Sequence, residues 1–262
     1  MHKKNTVKNY RQFLNIFNAC FGDRDIESIT SDEILTFLTE SSDGQKQSTK
    51  RFKYTLLNTF FNFIKNATDP NLSNPCDTPI LRKAFRLSKG GQWSILEKDV
   101  VDEIIFKTDN HRNRLMLELM ARGGMRIGEV LKLRAIDVDE SKLSITKPKS
   151  GRQNEIVFIP QKVSVRLNEY IRKKGLESTQ RIFPIGYTGA REMVRIAGKL
   201  AGIDLRPHDL RRHAATYASR DGAPLEIVSK IILRHANLLT TQRYLGKVSD
   251  TEAIRWIENI YR

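Results

Sequence analysis

Long apolar stretches are absent from this sequence of 262 residues. No run of about 18 apolar residues occurs, so the sequence predicts no membrane-spanning helix. The N-terminal residues 1–5 lead into a mixed polar stretch that contains no apolar signal core. We therefore expect a cytoplasmic protein without a membrane partner.

Cysteine is scarce, and the motifs of several enzyme classes are missing. The two cysteines, Cys20 and Cys76, have neither metal-ligand spacing nor the pattern of a disulfide framework. The five histidines are accompanied neither by cysteine nor by a close pair of carboxylates, which argues against a metal site. Gly-x-Ser-x-Gly and Gly-x-x-x-x-Gly-Lys-Ser/Thr do not occur, so α/β-hydrolases and P-loop enzymes are not indicated. We expect no metal and no cofactor.

Positive charge is in excess along the whole chain. Lys and Arg number 45 against 30 Asp and Glu, a formal net charge of +15. Residues 1–90 hold 14 basic and 9 acidic residues (+5), and residues 91–262 hold 31 and 21 (+10). Basicity spread over a folded chain favours nucleic acid as a partner, because binding to phosphates releases counterions. A basic protein without a nucleic-acid partner remains the alternative at this point.

The first part of the chain has the pattern of a small helical domain. Apolar residues at helical spacing predict a first helix with the face Val7, Tyr10, Leu14 and Phe17. Thr30 and Glu33 have the spacing of a capping box. A third helix carries an apolar stripe that we interpret as core: Phe52, Leu56, Phe60 and Phe63. Basic residues begin this third helix and are candidate DNA contacts: Lys50, Arg51 and Lys53.

The second part of the chain mixes helices with two short strands. Residues 66–80 break the periodicity with three prolines among polar residues, which is typical of a linker. The helices are predicted at about 95–107, 112–122, 126–134, 161–174, 188–201, 208–220, 224–233 and 240–245. Leu143–Ile145 and Glu155–Ile159 are predicted strands, joined by a hairpin loop. We expect a mainly α fold with a small antiparallel β-sheet, divided into a domain 1–75, a linker 76–93 and a domain 94–262.

Arginine, histidine and tyrosine occur in a particular order in this second part. Arg126 follows a Gly-Gly-Met turn, and His208 and Arg211 are three residues apart, so they share a face if they are helical. His235 follows Leu-Arg, and Tyr244 comes nine residues later. Each residue taken singly is typical of packing, capping or a solvated surface. The ordered set is far more specific than any of its members.

This ordered set resembles the catalytic signature of the tyrosine recombinases, the phage integrase and Xer-like family, over roughly residues 94–250. The resemblance implies a catalytic domain at 94–262 and a helical, SAM-like core-binding domain at 1–75. It implies catalytic roles for Arg126, Lys149, His208, Arg211, His235 and the nucleophile Tyr244, with Glu129 in support. Lys147 and Arg152 lie in the same hairpin as Lys149 and are candidate DNA contacts.

The implied reaction explains why these residue types are present. Two arginines can hold the non-bridging oxygens of a phosphodiester and stabilise the charge of its transition state. Tyr244 would form a 3′-phosphotyrosyl intermediate, which conserves the bond energy for rejoining without a cofactor. Lys149 would protonate the leaving 5′ oxygen. His208 would accept the tyrosine proton, and His235 would hydrogen-bond a phosphate oxygen.

The resemblance also implies partners. Strand exchange through a Holliday junction, for integration, excision or dimer resolution, needs duplex DNA with a specific site and a homo-tetramer on it. The protein would then be associated with the nucleoid. Three residues depart from the family pattern: Met125 replaces leucine, Arg212 stands where histidine is common, and Arg234 stands where glycine usually precedes His235.

Two other functions stay open. A type IB topoisomerase uses a similar residue set and relaxes supercoils, although the His-x-Leu-Arg and Thr-Thr-x-x-Tyr contexts favour a recombinase. A non-catalytic DNA-binding protein is the other alternative, because residues 222–235 have a helix-turn-helix pattern. The complete set of Arg126, Lys149, Arg211 and Tyr244 argues against a lost active site.

Overall fold

The computed structural model describes residues 4–68, 70–87, 95–146 and 154–245, together with 254, 257 and 258. Residues 4, 5, 154, 243 and 244 are described by their backbone alone. The chain divides into two compact units, residues 1–91 and 92–262. Within the described ranges, no helix is both long enough and apolar enough to cross a membrane.

The first unit is helical. Its helices are α1 (Lys4–Phe21), α2 (Ser31–Ser41), α3 (Gln47–Ala67) and α4 (Pro79–Ala84), with a 3₁₀ turn at Ile26–Ser28. The predicted capping box is confirmed at the start of α2. The Glu33 backbone N–H donates to Thr30 Oγ1 at 3.3 Å, and the Thr30 N–H donates to Glu33 Oε2 at 2.9 Å. These two bonds satisfy donors that the first turn of a helix leaves without intrahelical partners.

The aromatic stripe predicted on α3 is partly wrong. Phe52 and Phe63 are 46% and 68% exposed, whereas Leu57 and Phe61 are completely buried. A helix turns by about 100° per residue, so Phe52 and Phe63 lie about 140° and 120° around the axis from Leu57. The buried face of α3 also includes Tyr54, which stacks on a ring from the following segment. Packing on the neighbouring helices selects this face, and apolar spacing alone does not identify it.

The predicted start of the linker at residue 76 is also wrong. Cys76, Leu81 and Phe85 are buried in the core of the first unit. Thr78 caps α4 by accepting from the Leu81 N–H at 3.3 Å, and Pro79 occupies the first helical position, where its missing N–H costs nothing. The three prolines of residues 66–80 are typical of a linker, but Pro79 begins a helix that belongs to the first unit.

The second unit contains the predicted small sheet among helices. Its described elements are α5 (Lys98–Lys107), α6 (His111–Ala121), α7 (Ile127–Val130), a 3₁₀ turn (Ala135–Asp137), β1 (Val138–Asp139), β2 (Lys142–Thr146), β3 (Asn154–Phe158), α8 (Gln161–Lys173), α9 (Tyr187–Lys199), α10 (Pro207–Arg220), a π-helix (Ile227–Ile232) and α11 (Leu238–Leu245). The predicted fold class is therefore confirmed. The helix expected at 126–134 is only one turn long, and the helix expected at 224–233 is largely the π-helix.

Helix α6 forms the centre of the second core. All its residues from Leu115 to Ala121 are buried, and it contacts α5, α8 and α10. The sheet has the order β1-β2-β3 with antiparallel neighbours, and Ile145 of β2 pairs with Glu155 of β3. Because the last two turns of α6 are buried in this core, the turn that follows α6 and precedes α7 starts from a fixed position.

Candidate active site

Two glycines allow the turn between α6 and α7 to pack closely on its surroundings. A Cβ on Gly123 would meet the Ile159 side chain at 2.9 Å. Gly124 has φ +60, and a Cβ there would meet both the side chain and the carbonyl oxygen of Ile232 at 2.9 Å. A larger residue would therefore push the turn away from the end of the π-helix. The turn delivers Arg126 to this junction as the N-cap residue of α7.

Arg126 is held by Glu129 at two points. Its backbone N–H donates to Glu129 Oε2 at 2.9 Å, and its Nη1 donates to Oε1 at 2.7 Å. Burial alone would raise the pKa of the Glu129 carboxyl, but the charges and hydrogen bonds of Arg234 and Arg126 lower it below its usual value. Glu129 thus stays ionised and fixes the guanidinium of Arg126. The Arg126 side chain remains 22% exposed.

Arg211 reaches the same place from α10. It is 1% exposed, and its guanidinium donates to the carbonyl oxygens of Gly124 and Leu233. Nη2 of Arg126 lies 3.5 Å from the same Leu233 oxygen. The structure therefore brings together the two arginines that the sequence placed 85 positions apart.

His208 lies one helical turn before Arg211 on α10, at the protein surface. Partial desolvation and the positive charges of Arg211, Arg126 and Arg212 lower the pKa of the His208 imidazole. The side chain is therefore neutral near pH 7, which is the state that can accept a proton.

His235 is buried beside the two arginines and is oriented by two hydroxyl groups. Its Nδ1 lies 3.0 Å from Thr241 Oγ1, and Thr241 Oγ1 lies 2.8 Å from Ser229 Oγ. The backbone N–H of His235 also donates to the Ser229 carbonyl at 2.9 Å. Burial, followed by the positive charge of Arg211 and the other arginines, lowers the pKa of His235 to about 4. The Thr241 hydroxyl contacts both Nδ1 of the ring and Ser229 Oγ and so fixes the orientation of the imidazole, which can donate to a phosphate oxygen in the tautomer that carries its proton on Nε2.

Tyr244 lies on α11, three residues after Thr241. The two residues are therefore on neighbouring turns of one helix face. Thr241 is completely buried and anchors α11 to the π-helix through Ser229. The backbone position of Tyr244 is thus fixed relative to His235, and its side chain lies outside the described atoms.

The hairpin residues Lys147, Lys149 and Arg152 lie outside the described residues. The structure does describe both ends of the hairpin, where Thr146 of β2 pairs with Asn154 of β3, next to the pair of Ile145 and Glu155. The side chain of Glu155 is buried. Glu155 thus lies inside the second unit, next to the pair that closes the hairpin.

The three basic residues at the start of α3 differ in their surroundings. Lys53 is half-buried and donates to the carbonyl oxygen of Ser41 at the end of α2, and burial lowers its pKa. Arg51 packs over the ring of Tyr54, with its guanidinium carbon 5.0 Å from the ring centroid. Lys50 is partly exposed. Lys50 and Arg51 are thus better placed for contacts outside the chain than Lys53.

Three residues that the sequence did not identify as parts of the site belong to it by contact. Ser229 and Thr241 orient His235, and Arg234 contacts Glu129. The Thr-Thr-x-x-Tyr context offered a signal for Thr241, and the glycine-to-arginine departure offered one for Arg234. No pattern in the sequence indicated a role for Ser229, because its contact with Thr241 and His235 depends on the π-helix.

The arrangement concentrates positive charge and hydrogen-bond donors around one point. It suits a tetrahedral oxyanion such as a phosphodiester, which guanidinium groups bind through charge-assisted hydrogen bonds. Within the described part of the chain, no group of three or more His, Cys, Asp or Glu side chains is arranged to hold a metal ion.

Two family models match this chain, one in each compact unit. The sequence model of the phage integrase family matches residues 94–249. The model described as the phage integrase N-terminal SAM-like domain matches residues 2–68. The two matched regions fall in the second and the first compact unit, respectively.

Individual relatives agree with these matches. Tyrosine recombinase XerA of Saccharolobus solfataricus is 28% identical over 157 residues, 59% of this chain and about half (53%) of that protein. Tyrosine recombinase XerA of Pyrococcus horikoshii is 25% identical over 253 residues, 92% of this chain and 82% of that protein. A lambda integrase tetramer bound to a Holliday junction shares the fold, with TM-score 0.69, 20% identity and coverage of 90% of this chain and 73% of that one.

Proposed function

The chain belongs to the phage integrase family, and from this premise we propose that it is a site-specific DNA recombinase that cleaves and rejoins DNA through Tyr244. One observation carries the proposal. Arg126 and Arg211 converge on the carbonyl of Leu233, and His235 lies directly after Arg234 on the same segment. Two guanidinium groups and an imidazole therefore lie close to one another, which supports binding of a phosphate there.

The chemistry follows from the residues. The Tyr244 hydroxyl oxygen attacks phosphorus, and its proton passes to neutral His208. The bond from phosphorus to the 5′ oxygen breaks, and Lys149 protonates that oxygen. Arg126, Arg211 and His235 bind the non-bridging oxygens and stabilise the charge that develops on them. Attack by another 5′ hydroxyl on the phosphotyrosine reverses each step and joins the exchanged strand.

The proposal includes an assembly and a place of action. Four copies of the chain on two DNA sites would exchange strands through a Holliday junction, as the lambda integrase tetramer bound to a junction illustrates for that protein. The first unit, which matches the SAM-like domain, would bind the duplex with Lys50 and Arg51. The protein would act on DNA at the nucleoid, in the cytoplasm.

The proposal is tested by separating recombination from relaxation. The DNA site is first selected by the protein from a random duplex library, and two copies are then placed on one plasmid. We expect deletion or inversion of the segment between the sites, detected by sequencing across the junctions. Relaxation of supercoils without new junctions would indicate a topoisomerase instead, and neither product would overturn the proposal.

Lys149→Ala is expected to slow cleavage of ordinary DNA by roughly 100-fold or more, the scale of general-acid catalysis. A substrate with sulfur in place of the 5′ bridging oxygen has a leaving group that needs no proton, so it should restore the rate. Single-turnover cleavage of both substrates gives the comparison. Lys147→Ala is the matched control and should show neither effect, and rescue of Lys147→Ala alone would assign the acid to Lys147.

A further inference from the structure

Arg234 has a backbone conformation that an arginine rarely adopts. Its φ is +50, in the left-handed region that favours glycine. A side chain in this conformation has an energetic cost relative to the right-handed region, because its Cβ crowds the following carbonyl oxygen. Its contacts must therefore contribute enough to offset that cost.

Those contacts involve all three guanidinium nitrogens, two of them through hydrogen bonds and Nε through an ion pair that is not a hydrogen bond. Nη2 donates to Glu129 Oε2 at 2.6 Å, and Nη1 donates to the carbonyl of Ile232 at 2.9 Å. Nε lies 3.4 Å from Glu155 Oε2. The side chains of Arg234, Glu129 and Glu155 are 2%, 7% and 4% exposed. Arg234 is thus enclosed by protein and directed toward two buried carboxylates.

The two carboxylates lead to different parts of the site. Glu129 holds the backbone and the guanidinium of Arg126. Glu155 is on β3 next to Asn154, which pairs with Thr146 at the base of the hairpin that carries Lys149. Arg234 itself immediately precedes His235. A single buried cation therefore joins three segments that each carry a proposed catalytic residue.

We propose that Arg234 is a positioning residue, which fixes Arg126 through Glu129 and the base of the Lys149 hairpin through Glu155. The inference rests on the proposed function. Arg234 is buried, and its three donor positions face protein atoms, so it acts through other residues and does not bind the phosphate. Removing it leaves two buried carboxylates without their shared cation, and buried charges that lose a partner are strongly unfavourable.

The test begins with Arg234→Gly, which relieves the backbone conformation and removes the cation. Single-turnover cleavage of a nicked suicide duplex carrying the selected site, at saturating protein and well below the melting temperature, should slow by about 10- to 100-fold. Binding of the uncleaved duplex should change less than about threefold, because the group does not touch DNA. Arg234→Lys retains a charge and should recover part of the rate. A cleavage rate for Arg234→Gly equal to that of the wild-type protein would overturn the proposal.

A positioning role is distinguished from a purely structural one by the energetic coupling between Arg234 and Arg126. Arg126→Lys is measured in the wild-type and in the Arg234→Gly backgrounds. If Arg234 acts by placing Arg126, Arg126→Lys should slow cleavage much less in the Arg234→Gly protein than in the wild-type protein. The reason is that substitutions within one contact network do not have additive effects. Independent, multiplicative losses of rate would overturn the proposal.

Two control variants match the separate effects of the substitution. Glu140→Gly relieves another positive φ, +47, on the turn between β1 and β2. Arg166→Met removes the guanidinium that pairs with buried Glu118. Both should cleave at the wild-type rate, and a loss in Arg166→Met as large as in Arg234→Gly would overturn the assignment. Absence of an adduct with the wild-type protein would instead refute the proposed function.

Discussion

Replacing Tyr244 with phenylalanine is expected to reduce the covalent protein–DNA adduct to background, while DNA binding and folding stay near wild type. The substitution removes a single oxygen atom, and it is the oxygen that would bond to phosphorus. The position of α11 does not depend on that oxygen, because buried Thr241 anchors the helix to Ser229. The adduct is detected as a shifted band after denaturing electrophoresis of the protein with a nicked suicide duplex.

Tyr170→Phe is the matched control for this experiment. Tyr170 is half-buried on α8, where its ring stacks near Phe183 with 6.1 Å between the centroids. The control removes the same atom at a position outside the site and should leave the adduct intact. An adduct that persists in Tyr244→Phe would show that another residue is the nucleophile.

Arg211→Ala and Arg126→Ala should each slow cleavage by about 100-fold or more, the scale for loss of one transition-state donor. Binding of uncleaved duplex should fall far less, because the positive charge of the chain is spread over many other basic residues. Arg211 is almost fully buried and also holds the Gly124 turn, so its alanine variant tests folding as well. The lysine variants Arg211→Lys and Arg126→Lys keep the charge and lose the forked geometry, which two-point binding of a phosphate requires.

Three measurements separate the possible results for these variants: the melting temperature, the dissociation constant for uncleaved duplex and the single-turnover cleavage rate. We expect the lysine variants to keep the first two close to wild type and to lose the third. Equal losses in binding and cleavage would mean that the arginines only hold DNA. Arg195→Lys, on a guanidinium that pairs with Glu192 on the surface of α9, controls for the substitution itself.

Local signals made the helices and the motif residues predictable. The capping box consists of Thr30 and Glu33, only three positions apart, and its two bonds depend only on the first turn of α2. The ordered motif and its resemblance to the tyrosine recombinases predicted that Arg126, Arg211 and His235 belong to one site, and the structure brings the three residues close together. Such features need no knowledge of the elements that pack against them.

Features that depend on distant parts of the chain were not predictable. The exposed positions of Phe52 and Phe63 follow from which face of α3 meets its neighbours. The shared contact of Arg126 and Arg211 with Leu233 joins three segments that are far apart in sequence. The departure at Arg234 looked like a local irregularity, whereas its side chain is paired with Glu129 and lies beside Glu155. A pattern in the sequence cannot contain these contacts, because each needs a completed core.

The π-helix at Ile227–Ile232 makes the site sensitive to the number of residues in this segment. The Leu233 N–H donates to the carbonyl of Val228, five residues back, where an α-helix would bond four residues back. The same short segment carries the Ser229 hydroxyl, which bonds Thr241, and leads into the Leu233 carbonyl, which contacts both arginines. We expect deletion of one residue between Ile227 and Ile232 to change the relative positions of these two contacts, whereas substitutions at the exposed positions of the segment leave both in place.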